Sequence, residues 1–314
     1  MTPTAWTVAV LSLTAALGVV AAAVFAARRR SLTDVPLAGR TVVARAASYA
    51  ALAAGLAVAV AVGQVGVAVL VLVLGTLGLW EWARMGDLPI HHRAGLLIAN
   101  VVLVVAIHLQ GVQAADWLVG GIVLVGLLWP VIRADTGRAV RDLGFAAIGF
   151  LSIAVMLAHA VAIGNERGEA GVVLVAALAL SCAGSDVGAF LVGRRFGRTP
   201  LAPKLSPAKT RAGLVGNVLG AAVGLLPLAP AVIGAFGATA LAYCYAVLLV
   251  PIVAIGSVWG DLFESAVKRE VGVKDAGGWL PGFGGILDRI DSLLITLPLA
   301  YWTLRLADLY GVTA

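Results

Sequence analysis

The chain has 314 residues, of which 61% are hydrophobic and 12% charged, with a formal net charge of +6 and a mean hydropathy of +1.02. A soluble domain carries about 25% charged residues, so this composition excludes a soluble globule and makes the bilayer the solvent for most of the chain. The sequence pI of 9.7 is read as Lys and Arg gathered on one membrane face, not as nucleic-acid binding.

Apolar runs of about 20 residues, the length that spans hydrocarbon, fall near 5–27, 44–62, 64–83, 94–110, 115–132, 143–163, 171–192, 213–235, 238–259 and 286–306. The predicted fold is therefore all-α: a polytopic integral membrane bundle of about ten transmembrane helices. The first run is not expected to be a cleaved signal, because no Lys or Arg precedes it and Arg28, Arg29 and Arg30 follow it. The second and third runs are nearly continuous and are split at Gly63, since one helix could not absorb both. Pro227 and Pro230 predict a kink or an early end in the eighth. Cys182 and Cys244 sit in apolar runs without metal-ligand spacing and imply no disulfide framework.

Charge tests this count. With the N-terminus outside, all of the 22 Lys and Arg except Arg167 and Arg305 fall on the inner segments. One missed helix would scramble that bias. The expectation is a multi-pass protein of the inner, cytoplasmic membrane with both termini outside. It forms a single membrane domain: residues 1–170 are scaffold, and 171–314 carry the chemistry on inner loops at 193–212 and 260–289. Gly216, Gly220 and Gly224 recur every four residues and predict a close helix crossing.

Polar residues concentrate late in the chain. Six of the 16 acids, namely Asp261, Glu264, Glu270, Asp275, Asp288 and Asp291, lie between 261 and 291, interleaved with Lys268, Arg269, Lys274 and Arg289. If the helix continues past Gly260, then Asp261, Glu264, Ser265 and Lys268 share one face. Asp288 and Asp291 share another. Between them runs the Gly-rich stretch 277–285, suited to unusual backbone angles and close approach to a ligand. Carboxylates beside bases suit a phosphorylated substrate bridged by Mg²⁺. A second cluster comprises Asp186, which is costly inside an apolar span, the GRRFG turn at 193–197, and Ser206, Lys209 and Thr210. Transport is a poorer fit, because most acids lie at the predicted interface and not at the midplane.

The stretch Ser265–Arg269, Lys274-Asp275, Pro281–Gly285 and Leu287–Asp291 resembles the C-terminal signature of phosphatidate cytidylyltransferases, the CDP-diacylglycerol synthases. GDLFES at 260–265, Asp186 with GRRFG, SPAKT at 206–210 and WEWAR at 80–84 fit the same resemblance. It implies a polytopic membrane enzyme, with a homodimer as one expectation. That enzyme joins CTP to phosphatidate with Mg²⁺, a second monovalent cation being a further expectation, and it works among membrane lipids with no nucleic acid. It implies Asp261 and Asp288 as metal ligands. Lys268, Arg269 and Arg289 would hold phosphate, and Asp186, Ser206, Lys209, Thr210, Glu264, Ser265, Lys274 and Asp291 would line the substrate site.

The chain departs from the family pattern at three positions. Phe283 stands where the family turn has His, Ala208 where it has Lys, and Ala212 where Glu is common. Phe283 can neither move a proton nor bind metal. Either that His is dispensable, or the protein acts on another lipid phosphate, or it is a catalytically silent scaffold.

Overall fold

The computed structural model describes residues 37–133, 137–235, 240–277 and 284–310. The predicted first span, Arg28–Arg30, both chain ends, and Phe283 with most of its Gly-rich loop lie outside the described residues.

Helices cover every other predicted span. They are α1 (Leu37–Val62), α2 (Gln64–Met85), α3 (Ile90–Gln110), α4 (Gln113–Arg133), α5 (Ala139–Gly149) and α6 (Met156–Phe196), the last two joined through a π-helical segment, Phe150–Val155. After a hairpin come α7 (Arg211–Leu225), a 3₁₀ turn at Leu226–Leu228, α8 (Ala229–Ala235), α9 (Ala240–Glu270) and α10 (Leu287–Leu309). Among the described residues, five stretches are long and apolar enough to cross a membrane: Gln64–Met85, Ile90–Gln110, Ala139–Phe196, Arg211–Leu228 and Tyr243–Glu270. Val58, Val65, Ile98, Leu124, Val215, Leu219 and Val247 all point outward and exposed, as lipid-facing side chains do.

Glycine makes the turns. Gly63, at φ +86°, separates α1 from α2 where the sequence predicts the break. A straight run over Ala139–Phe196, 58 residues, would be about 87 Å long, against about 30 Å of hydrocarbon. It does not stay straight. Gly168 adopts φ +56°, ψ −134°, and a Cβ on Gly171 would lie 2.2 Å from the carbonyl oxygen of Ile163, eight residues back. The chain thus folds back on itself between the predicted spans 143–163 and 171–192.

The predicted small-residue crossing is the largest helix contact in the chain, between α6 and α7. A Cβ on Gly216 would stand 2.2 Å from the carbonyl oxygen of Gly188, and one on Gly220 would stand 2.1 Å from that of Gly184. Ser181 and Ser185 donate across the crossing to the carbonyls of Ala221 and Asn217, at 2.8 and 3.2 Å. α9 crosses α10 just as closely, with Gly256 against Thr296 and Gly260 against the backbone of Asp291. These two crossings bring the C-terminal ends of α6 and α9 and the N-terminal ends of α7 and α10 to one end of the bundle.

The loop between α6 and α7 is not irregular. It forms a two-stranded antiparallel hairpin, β1 (Pro200–Ala202) and β2 (Ser206–Thr210), pairing Pro200 with Thr210 and Ala202 with Ser206. Pro200, Pro203 and Pro207 deny this stretch a helix.

Candidate active site

The face predicted on α9 forms. Ser265 donates to Asp261 Oδ1 at 3.2 Å, and Lys268 Nζ donates to Glu264 Oε2 at 3.1 Å, both across one helical turn. Lys268 also reaches across to α10, donating to Asp288 Oδ1 at 2.6 Å. The other oxygen of Asp288 accepts from Gly285 N at 2.7 Å and Ala276 N at 3.3 Å. Asp288 is thus held from three sides and pins both described ends of the Gly-rich loop.

The second predicted cluster meets the first. Lys209 Nζ, at the end of β2, lies 2.6 Å from Asp261 Oδ2. Asp186 on α6 is within electrostatic reach of Asp261, Lys209 and Arg289. Asp291, buried one turn into α10, feels Asp261, Asp186 and Arg289. Five carboxylates (Asp186, Asp261, Glu264, Asp288, Asp291) therefore converge with three bases (Lys209, Lys268, Arg289). Carboxyl groups outnumber bases, a donor set that a bound cation would complete.

Not every predicted residue joins them. Thr210 caps α7, its hydroxyl accepting from Gly213 N at 3.2 Å. Ser206 is half-buried in β2 and pairs through its backbone with Ala202. Arg269 is exposed and donates to the carbonyl of Val273 at 3.5 Å. Lys274 is exposed on the following turn.

Glu81 was not among the predicted site residues. Its carboxylate, 1% exposed on α2, accepts from Ile286 N at 3.0 Å and Leu287 N at 2.8 Å. The available signal was a carboxylate inside an apolar span, within the WEWAR run. Its neighbour Trp82 stacks on Phe145 and Phe263, with ring centroids 4.8 and 6.3 Å away, and donates to the carbonyl of Phe145 at 2.9 Å. One turn of α2 thus ties the scaffold half to the site.

The donor set suits a hard divalent cation: carboxylate oxygens in excess, with Glu264 Oε1 buried and without a hydrogen-bond partner. Among the described residues no three His, Cys, Asp or Glu side chains gather closely enough to hold a metal by themselves. Mg²⁺ in phosphate chemistry is commonly held by one or two carboxylates, with phosphate oxygens and water completing the shell. The site fits that pattern. Asp261 and Asp291 are grouped with Asp186, and Asp288 is tied to Glu264 through Lys268; Asp261, Asp288 and Asp291 each already accept a hydrogen bond or form an ion pair, through oxygens that a cation would share.

The model of the cytidylyltransferase family matches residues 43–307. A phosphatidate cytidylyltransferase of Pseudomonas aeruginosa is 32% identical over 235 residues, 71% of this chain and 82% of that one. A phosphatidate cytidylyltransferase of Bacillus subtilis is 29% identical over 245 residues, 75% of this chain and 87% of that one. An uncharacterized protein of Escherichia coli, YnbB, is 38% identical over 137 residues, 44% of each chain, so the match spans less than half of that relative.

Proposed function

The chain belongs to the cytidylyltransferase family, and on that premise we propose that it transfers CMP from CTP to phosphatidate. The products are CDP-diacylglycerol and pyrophosphate, made at the cytoplasmic face of the inner membrane. The observation that carries this reading is the meeting of two distant loops at one acid-and-base cluster, through Lys209–Asp261 and Lys268–Asp288.

The lipid phosphate attacks the α-phosphorus of CTP. An O–P bond forms there as the bond to the β-phosphate oxygen breaks, and pyrophosphate departs with that electron pair. A phosphate monoester is already anionic near neutral pH, so attack needs alignment and charge neutralisation more than a general base. Lys209 and Arg289 hold phosphate charge. Lys268 keeps Asp288 ionised and fixed, and Asp288 holds the backbone at Ala276 and Gly285. Asp261 and Asp288, with Asp291 and Asp186 as supporting acids, would hold Mg²⁺, which when bound neutralises phosphate oxygens and orients the triphosphate. No step depends on a side chain at position 283, which accounts for Phe283 in this chain.

A second acceptor is favoured by the same residue. Phe283, Ala208 and Ala212 leave the Gly-rich stretch, the hairpin and the start of α7 less polar than the family pattern, which suits a different lipid phosphate with the same chemistry at CTP.

Purified protein in detergent–lipid micelles, supplied with Mg²⁺ and phosphatidate, distinguishes these readings. Label from the α-phosphate of CTP is expected in the lipid, and label from the γ-phosphate in pyrophosphate. Label in lipid only when another lipid phosphate replaces phosphatidate selects the second acceptor. No α-label in any lipid phosphate contradicts both.

A further inference from the structure

Helix α10 begins badly by its own sequence. Ile286 stands at the N-cap position with no side chain able to accept from the first turn, where helix N–H groups lack intrahelical partners. The missing acceptor comes from 205 residues away: both oxygens of Glu81 are used, one for Ile286 N and one for Leu287 N. Negative charge at a helix N-terminus is favoured. A carboxylate at this depth is otherwise expensive. Glu81 and the start of α10 resolve each other's defect.

The arrangement shapes more than a helix end. A Cβ on Gly277 would lie 2.2 Å from Glu81 Oε1, and one on Gly285 would lie 2.5 Å from Glu81 Oε2. Both described ends of the Gly-rich loop therefore lie directly on this carboxylate. Those same ends supply Ala276 N and Gly285 N to Asp288. Asp288 in turn holds Lys268, which holds Glu264. A continuous series of bonds runs from a buried residue of the scaffold half to the acids and bases of the site.

We propose that Glu81 is a positioning residue for the transfer reaction: from α2 it caps α10, seats Gly277 and Gly285, and so sets where Asp288, Arg289 and Asp291 stand. The inference rests on the cytidylyltransferase reading of the site for its kinetic consequence, but not for its structural one. Glutamine is nearly isosteric yet wrong: its amide oxygen accepts one N–H while its NH₂ group faces the other donor. Aspartate keeps the charge but is one methylene shorter. Gly285→Ala presses on the carboxylate from the opposite side with Glu81 intact.

The test compares full-length wild type, Glu81→Gln, Glu81→Asp and Gly285→Ala in lipid micelles. It measures amide hydrogen exchange together with kcat and KM for CTP. Glu81→Gln and Gly285→Ala are expected to speed exchange at 284–292 on the order of tenfold, the equivalent of one hydrogen bond to a charged group, and to leave α6 and α7 unchanged. kcat should fall by about tenfold or more with KM for CTP within about threefold, the mark of a group that acts on the aligned state, and Glu81→Asp should recover part of the loss. Unchanged exchange at 284–292 overturns the proposal. So does faster exchange along the whole chain in both Glu81→Gln and Gly285→Ala, which would make Glu81 a residue of general stability. If wild type transfers nothing from CTP, the reading of the reaction fails, and the exchange result alone decides for or against the cap.

Discussion

Helix α10 carries a polar cluster at each end, about 26 Å apart by the rise from Asp291 to Asp308, and the two are built on opposite plans. At the far end Arg167 pairs with Asp308, and Arg305 lies 3.7 Å from Glu166 and 3.8 Å from Asp308. Tyr301 completes the cluster by donating to Glu166 at 3.0 Å. Two acids meet two bases, and every one of them closes the turn at Gly168 onto α10. At the site end five carboxyl groups meet three bases. Charge in a membrane bundle is costly. Where charge is balanced and tied off it serves as a latch. Where acidic side chains outnumber bases, a cation from outside the chain would complete the set.

That contrast predicts different failures at the two ends. The largest effect belongs to Asp261→Asn, which removes a charge shared by Lys209 and the acid cluster. Turnover should fall by about 10²- to 10³-fold, as for a lost electrostatic group at a reacting phosphate, with the midpoint of thermal unfolding nearly unchanged. Next comes the crossing on which both loops depend. Gly220→Val forces methyl groups into backbone contact and should cost about 3 kcal/mol, read as a lowered unfolding midpoint with activity lost in parallel. Arg167→Ala leaves Asp308 without its main partner and should cost about 2 kcal/mol, less than breaking a fully buried pair, while turnover per folded molecule stays within about twofold. The smallest effect is Arg305→Ala. Its side chain is 48% exposed and both its contacts exceed 3.6 Å, so the cost should be no more than about 0.5 kcal/mol by the same unfolding measurement.

Much of this was legible in the sequence wherever a local rule governed. The break at Gly63 follows from length alone, and the crossing of α6 with α7 follows from the four-residue spacing of Gly216, Gly220 and Gly224. The face formed by Asp261, Glu264, Ser265 and Lys268 follows from helical periodicity. What local spacing leaves out are the partners brought in by packing. Thr210, which the sequence places in the substrate site, has a second role that spacing does not reveal: as the residue before Arg211 it caps α7. Arg269 was expected among the phosphate-holding bases, yet one residue beyond Lys268 the helix has rotated it outward to Val273. The meeting of Lys209 with Asp261, and of Glu81 with Ile286 and Leu287, depends on how separate helices cross. No spacing rule reaches across 52 or 205 residues.

The most direct measurement is CMP transfer from labelled CTP to phosphatidate by Asp261→Asn and Arg167→Ala side by side, each normalised to folded protein. The account predicts turnover lost in the first and kept in the second, with the second unfolding at lower temperature. Equal turnover in the two variants would contradict it, since the unbalanced cluster would then be no more essential to the chemistry than the latch.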